Sequence, residues 1–356
     1  MSDKVILGID TSCYTTSIAL TSVDGRLLYQ QRRMLPVAAG EKGLRQSEAF
    51  YQHMLHLPPL FREMEAALGY PLTDRLGAVA VSVKPCRRED SYMPVFRAGH
   101  SVAQVLASTA GVPLIPSTHQ EGHIMAALWA AGMRDYHGQC PFLAYHLSGG
   151  TTELIQVNHA DCHTDGHAEY DENDAFFHFA YDLVSGTLDI PAGQLVDRTG
   201  QSLGLSFPSG PELEALAGTL GRLVTPTYSI PTYCREGWIS FSGGEAWAKR
   251  ALASGTEPAQ IARSVEHYIA GSLTKSVLAC LQQGSSVDGQ DRRVVDEPKF
   301  VLFMGGVASN GYIRQRLEEK LGRRIPCIFP SPTYCADNAV GTALIGAASI
   351  ACTAVR

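Results

Sequence analysis

Apolar and polar positions along the chain alternate in two periods. Ile6–Leu20 reads ILGIDTSCYTTSIAL and Phe142–Val157 reads FLAYHLSGGTTELIQV. Each is an apolar strand, a turn of small hydroxyl-bearing and glycine residues, and a second apolar strand. That pattern predicts a β-hairpin whose turn exposes backbone N–H groups and hydroxyls. Its recurrence in the second part of the chain points to a duplicated domain. A further strand, Phe300–Met304, runs into Gly305-Gly306-Val307 and then a helix from about Asn310 to Leu321. Strand–glycine–helix is the order that brings backbone close to a nucleotide. Helices are expected near 45–68, 99–110, 118–132, 257–282 and 337–352, and strands near 26–33, 77–83, 113–116 and 326–329. Strands alternating with helices in this way indicate an α/β protein. The acidic, His-rich stretch 158–175 and the polar stretch 283–298 read as surface loops.

Composition narrows this picture. The 356 residues are 45% hydrophobic and 18% charged, which supplies a substantial core and excludes a disordered or fibrous chain. Lys plus Arg number 29 against 35 Asp plus Glu, a net charge of −6. No large basic field follows, so a strong sequence-independent grip on nucleic acid is not expected of this chain alone. The nine cysteines are scattered and none forms a C-x-x-C pair, which argues against a disulfide framework or a cysteine zinc site. No signal-peptide pattern opens the sequence, and the apolar run near 342–355 is too short and mixed to span a bilayer. The expected setting is the reducing cytosol.

Three groups of residues carry candidate chemistry. Phosphate binding needs converging donors without bulky side chains, with a carboxylate near the accompanying metal. Asp10-Thr11-Ser12 with Thr15-Thr16-Ser17 supplies one such turn, and Ser148-Gly149-Gly150-Thr151-Thr152 the other. Tight hairpins use the same residues for purely local reasons, so the two copies together with Gly305-Gly306 carry the case. His119-Gln-Glu-Gly-His123 opens a helix, and residues four apart share a helical face, so both imidazoles can reach one metal ion. Glu121 between them does not fit the H-E-x-x-H order of a zinc peptidase. Two exposed histidines in a first helical turn would give the same spacing. A third ligand would decide, and Asp337 in Tyr334-Cys335-Ala336-Asp337-Asn338 is a candidate, with a plain helix N-cap as its alternative.

Nearly the whole chain resembles the tRNA threonylcarbamoyl-adenosine transferases, formerly labelled glycoproteases. The matching segments are GIDTSC at 8–13, HQEGH at 119–123, LSGGTTEL at 147–154, AGQLVDRTGQSLGLSFPSGP at 192–211, FSGG at 241–244, GGVASN at 305–310 and YCADNA at 334–339. The resemblance implies a duplicated actin-like ATPase fold, shared with sugar kinases and heat-shock ATPases, whose two lobes hold a nucleotide and a metal in their cleft. Residues 1–116 plus 338–356 would form the N-terminal lobe. Residues 117–337 would form the C-terminal lobe, with the second hairpin and the nucleotide and metal motifs. It also implies a metal on His119, His123 and Asp337, and nucleotide or substrate contacts at Thr11, Ser12, His146, Leu147, Ser148, Gly149, Gly150, Asp197, Gly210, Gly305, Gly306 and Asn310. The cofactors would be one divalent metal (Zn or Fe, or Mg with ATP) and ATP or an adenylate. Asp10 is the candidate for orienting a metal-bound water or a proton.

The activity implied is transfer of a threonylcarbamoyl group from its adenylate to the amino group of an adenosine in tRNA, a cytoplasmic reaction. A homologous actin-like subunit and a small ATPase are the partners implied, with tRNA as substrate and no membrane. The chain departs from the family where acidic residues usually follow the Ser-Cys, since it has Cys13-Tyr14-Thr15-Thr16. A charged loop, Lys84–Pro94, replaces the family's glycine turn, and Thr151-Thr152-Glu153 replaces its usual H-T-Q. An acidic side chain there could handle a proton or orient the acceptor, and neither Tyr14 nor Thr15 is equivalent. This pattern fits a divergent paralogue. Two alternatives follow: the same chemistry on another acceptor, and a nucleotide-binding scaffold or regulatory subunit with little turnover. A peptidase ranks lowest, because no nucleophile–His–acid set accompanies the old family label.

Overall fold

The computed structural model describes residues 3–37, 44–88, 91–134, 139–159, 179–283 and 297–355. In chain order the first part contains β1 (Val5–Thr11), β2 (Thr15–Ser22), β3 (Leu27–Met34), α1 (Gln46–Leu68), β4 (Leu76–Lys84), α2 (Phe96–Ala110), β5 (Leu114–Thr118) and α3 (His119–Ala130). The second part runs β6 (Phe142–Leu147), β7 (Thr152–His159), β8 (Phe179–Gly186), α4 (Ala192–Ser202), α5 (Gly210–Gly218), β9 (Tyr233–Arg235), β10 (Trp238–Ser240), α6 (Ser242–Ala253), α7 (Pro258–Gln283), β11 (Val301–Met304), α8 (Gly311–Leu321), β12 (Cys327–Ile328) and α9 (Pro332–Cys335). The chain ends with α10 (Val340–Val355).

The described residues divide into two compact units, one reaching to Gly132 and resuming at Ala336, the other from Met133 to Cys335. Each is built on a five-stranded sheet, with orders β3-β2-β1-β4-β5 and β8-β7-β6-β11-β12. In both, the first three strands of the unit are antiparallel neighbours, and the remaining two join in parallel beside the first. The duplication expected from the two hairpins is therefore a duplication of whole sheets. β9 and β10 form a separate hairpin in the second unit.

In the first unit every residue of β1 and β2 is buried, as expected for a sheet covered on both faces. Leu7, Ile9, Ile18 and Leu20 meet Leu57, Leu60 and Met64 of α1 and Ala103 and Ala107 of α2. Ile6 and Gly8 face the other way, onto α10. A Cβ on Gly8 would lie 2.5 Å from the Ala343 nitrogen, and one on Gly346 2.6 Å from Ile6 Cγ2. The small-residue composition of α10 thus lets its backbone lie directly on the sheet. The same device joins it to α3, where a Cβ on Gly341 would fall 1.7 Å from the Gly122 carbonyl oxygen. In the second unit Tyr145, Leu147, Leu154 and Phe303 share one core with the buried faces of α4, α6, α7 and α8.

Several expectations change. The divide does not fall at 116/117 and 337/338: α3 and Asp337 belong to the first unit, because α3 packs on α10. Helix α2 starts at Phe96 rather than 99, and α10 starts at 340, after Asn338 Oδ1 accepts from the Val340 N–H at 3.0 Å. Helices α4, α5 and α6 and strands β8, β9 and β10 were not foreseen. In α4 and α6, Gly193, Gly200 and Gly244 are close contacts within helices, where an added Cβ would meet Ser148 O, Ser209 and Tyr268. Of the two expected loops, 158–159 complete β7, Gln283 ends α7, and 160–178 and 284–296 lie outside the described residues.

The Gly341 contact yields a paired prediction. Gly341→Ala should destabilise the protein by about 3 kcal/mol, because a methyl group is driven into backbone that cannot yield. The melting temperature should fall by roughly 5–10 °C. Gly218→Ala, where an added Cβ meets nothing within 4 Å, should stay within about 1 kcal/mol of the parent. Thermal denaturation of both variants checks the pair.

Candidate metal centre

β5 ends at Thr118 and α3 follows immediately. Thr118 and Glu121 form a capping box: the Glu121 N–H donates to Thr118 Oγ1 at 3.2 Å, and the Thr118 N–H donates to Glu121 Oε2 at 2.8 Å. The other carboxylate oxygen, Oε1, receives Arg87 Nε and Nη2, each at 2.7 Å. Glu121 is 4% exposed. It therefore orients the first turn of α3 and is not free to serve as a base. Pro85, from the same loop as Arg87, accepts the Gln120 N–H at 2.9 Å.

That first turn presents His119 and His123 side by side, with their Nε2 atoms 3.1 Å apart. Asp337 completes a triangle, its Oδ1 lying 3.5 Å from His119 Nε2 and 3.3 Å from His123 Nε2. Metal–nitrogen bonds of about 2.0–2.1 Å in a tetrahedral arrangement place ligand atoms roughly 3.3 Å apart. The three edges match that figure, and two imidazole nitrogens with one carboxylate oxygen are a donor set for a borderline divalent ion. The residues fit such an ion.

Asp10, at the end of β1, lies behind His119. Its Oδ1 is 3.0 Å from His119 Nδ1, and the carboxylate is 1% exposed. Since a carboxylate accepts, Nδ1 carries the hydrogen, which leaves Nε2 facing the triangle as the nitrogen that would meet an ion, the usual way a carboxylate fixes a ligand histidine. Asp10 Oδ2 is buried and makes no hydrogen bond among the described residues. Burial disfavours charge on His119, but the carboxylates of Asp10 and Asp337 outweigh it and hold its pKa well above the ordinary value. Burial also opposes charge on Asp337, and the two imidazoles reverse that, holding its carboxyl well below the usual range.

Thr11 and Ser12, marked in the sequence for phosphate, are already engaged within this unit. Thr11 Oγ1 donates to the Val95 carbonyl at 3.1 Å and accepts the Gly99 N–H at 3.2 Å. Ser12 Oγ donates to Asp337 Oδ2 at 2.5 Å.

The remaining candidates lie in the second unit, grouped where the parallel strands β6 and β11 end. His146 and Leu147 are buried at the end of β6, beside Met304 and Thr152 respectively. The Ser148 N–H donates to Thr151 O at 2.8 Å, and Ser148 Oγ accepts the Thr151 N–H at 3.0 Å, closing the turn. Gly149 and Gly150 are exposed, and a Cβ on either would meet nothing. Gly193 of α4 packs under this turn, its N–H donating to Ser148 O at 3.1 Å. Gly305 adopts φ +94°, and a Cβ there would lie 2.3 Å from Leu147 O, so only glycine fits; Gly306 beside it is open. Asp197 Oδ1 accepts the Ser209 N–H at 2.8 Å and thereby ties α4 to the start of α5, while burial pushes its pKa up. Gly210 opens α5 with open space where a Cβ would stand. Asn310 caps α8, its Oδ1 accepting the Ile313 N–H at 2.9 Å, and its Nδ2 donates to Glu266 Oε1 at 2.6 Å.

Three contributors escaped the sequence reading. Glu266 and Arg263, both essentially buried on α7, pair at 3.1 Å beneath Asn310. Burial pushes Glu266 up to about 7 against the pull of Asn310 and Arg263. Charged residues three apart within an apolar stretch of α7 were the available signal. His53 of α1 is wholly buried against the β1–β2 turn, and a histidine inside an otherwise ordinary amphipathic helix gave no comparable hint.

The triangle makes a prediction about protons. Asp10 and Asp337 favour the protonated form of His119 in the metal-free chain, and a metal needs the Nε2 lone pair. Apparent affinity for a divalent ion should therefore rise about tenfold per pH unit up to the raised pKa, then level off. Calorimetry in two buffers of different ionisation enthalpy should detect about one proton released per ion at pH 7. Asp10→Asn should weaken uptake by about 10–100-fold, and His119→Ala, His123→Ala and Asp337→Ala more severely.

The chain is similar to two solved structures of HypF. The protein from T. kodakarensis is 13% identical, with a TM-score of 0.52 over 98% of this chain and 48% of that one. Full-length HypF in its phosphate- and nucleotide-bound form is 11% identical, with a TM-score of 0.53 over 100% of this chain and 47% of that one. This chain spans about half the length of those proteins, and the likeness is one of fold: the actin-like ATPase fold, with a mixed sheet in each half. The family model for tRNA N6-adenosine threonylcarbamoyltransferase matches residues 40–344, most of the chain and both units, and the protein belongs to that family of transferases.

Proposed function

We propose that the protein is a metal-dependent transferase that moves a threonylcarbamoyl, or closely related carbamoyl, group from an adenylate to the amino group of an adenosine in tRNA. The observation that carries this reading is the triangle of His119, His123 and Asp337, with Asp10 fixing the tautomer of His119. Family membership supports the reaction type. In the reaction the amine attacks the carbonyl carbon, the carbonyl–oxygen bond to the phosphate breaks, AMP leaves and one amine proton is lost.

A divalent ion on the triangle would supply Lewis-acid stabilisation of phosphate charge as the acyl group departs. His119 and His123 present their nitrogens, Asp337 one oxygen, and Asp10 keeps the first imidazole in register. In the second unit the exposed Gly149 and Gly150 of the Ser148-Gly149-Gly150 turn offer backbone donors to an anion. Asp197, Gly210 and Asn310 are the proposed contacts to ribose and adenine. Asn310 Oδ1 and Nδ2 are each engaged once, by α8 and by Glu266, which fixes the amide and leaves a second acceptor and a second donor site for the nucleotide. A nucleotide is held by a protein of the same fold, HypF, which agrees with ATP or an adenylate as ligand here.

A second reading keeps the chemistry and changes the acceptor. It is favoured by Arg87, which comes from the charged loop and clamps Glu121 between the two histidines, and by Tyr14-Thr15 where the family carries acidic residues. Partners remain part of the proposal: an actin-like homologue and a small ATPase, for which the exposed Phe50, Tyr51, Met54 and Leu55 of α1 offer apolar surface. A cytoplasmic setting is likewise proposed; among the described residues no helix is long and apolar enough to cross a membrane.

The test begins with binding. ATP should bind the metal-loaded protein, and its affinity should fall by about tenfold or more, about 1.4 kcal/mol, on removing the metal or in Asp337→Ala. Calorimetry that finds no ATP binding, or no dependence on either change, removes the transferase reading. Synthetic threonylcarbamoyl-adenylate offered with unmodified tRNA, followed by nucleoside mass spectrometry, then separates the two acceptors. A gain of threonylcarbamoyl on adenosine supports tRNA, and adenylate turnover without tRNA product supports another acceptor.

A further inference from the structure

Ser12 sits in a turn whose hydroxyls suggest phosphate binding, but its own hydroxyl points elsewhere. Its Oγ donates to Asp337 Oδ2 at 2.5 Å, while Oδ1 of the same carboxylate faces both histidine nitrogens at 3.5 and 3.3 Å. We infer that Ser12 is a positioning residue that makes Asp337 a one-oxygen ligand, occupying Oδ2 and turning Oδ1 towards His119 and His123. The inference rests on the metal reading above.

Ser12 is in turn held from behind. His53 of α1 is 0% exposed, and its Nε2 lies 2.7 Å from the Ser12 carbonyl oxygen. A carbonyl only accepts, so Nε2 carries the hydrogen and Nδ1 is left to accept from Thr16 Oγ1 at 2.8 Å. His56 Nδ1 reaches the same hydroxyl at 3.2 Å. Burial pushes the His53 pKa down to about 4, which outweighs the opposing pull of the Ser12 carbonyl and the Asp10 charge. The ring is neutral at pH 7 and keeps this tautomer. One imidazole therefore pins the turn at both Ser12 and Thr16, and the turn sets the carboxylate.

The consequence concerns coordination number. A carboxylate with one oxygen tied up in a short hydrogen bond meets a metal through the other. Released, it can chelate with both and fill a position that substrate would need. Hydrogen-bond partners of metal ligands are typically worth 10–100-fold in affinity.

Cobalt(II) is the probe, because its visible absorption weakens as coordination number rises and does not depend on turnover. Metal-free wild type, Ser12→Ala, Ser12→Thr, His53→Leu and Asp337→Ala would be titrated, with thermal denaturation showing that each is folded. Ser12→Ala should bind cobalt 10–100-fold more weakly, with a less intense band. Ser12→Thr should restore both, and His53→Leu should move both in the direction of Ser12→Ala by a smaller amount. If Ser12→Ala matches wild type in affinity and spectrum while Asp337→Ala loses the ion, the inference is overturned and the centre stands. If wild type takes up no cobalt, the metal reading fails and takes this inference with it.

Discussion

The contact of two helix backbones at Gly122 and Gly341 is the constraint on which the centre depends. A Cβ on Gly341 would overlap the Gly122 carbonyl oxygen, so α3 and α10 approach as closely as backbone allows. α3 carries both histidines in its first turn, and Asp337 stands just before α10. Helix α10 is fixed on its other side by Gly8 and Gly346 against β1 and its neighbour Ala80 on β4. The ligands are thus placed by rigid elements, as a metal site requires, and a substitution remote from the donors can still disperse them.

Charge explains why the arrangement is polar rather than apolar at this depth. Asp10 and Asp337 approach His119 from its two ring nitrogens, and two carboxylates cannot sit there without positive charge between them. In the metal-free chain a proton on His119 supplies it. A divalent ion bound there would supply more, in place of that proton. The hydroxyl of Ser12 and the imidazole of His53 extend this set outward through hydrogen bonds. The first turn therefore engages the residues of the triangle, whereas the second leaves Gly149 and Gly150 exposed.

Much of the fold was legible because it repeats. Ile6–Leu20 and Phe142–Val157 disclose the same hairpin twice, and each hairpin belongs to a sheet of the same order. That His119 and His123 share one face was legible from helical spacing, and their role as ligands only from the family resemblance. What stayed hidden depended on contacts distant in sequence. At Gly193, Gly200 and Gly244 nothing local shows that a neighbouring backbone or ring lies where a side chain would be. Thr11 and Ser12 looked open to phosphate because Gly99 and Asp337, which engage them, lie far along the chain.

The amino-acid sequence by itself determined the α/β class, the doubled hairpin, the histidine pair and the family resemblance, since each rests on local period or on short contiguous motifs. Tertiary structure decided that α3 and Asp337 belong with the first sheet, that Asp10 backs His119, and that Ser12 holds Asp337. Those are choices among partners many residues apart, and hydrogen-bond direction and backbone approach settle them only when the chain is folded. A hydroxyl has the same chemistry whether it meets a phosphate or a carboxylate; the partner that folding places within reach decides its task.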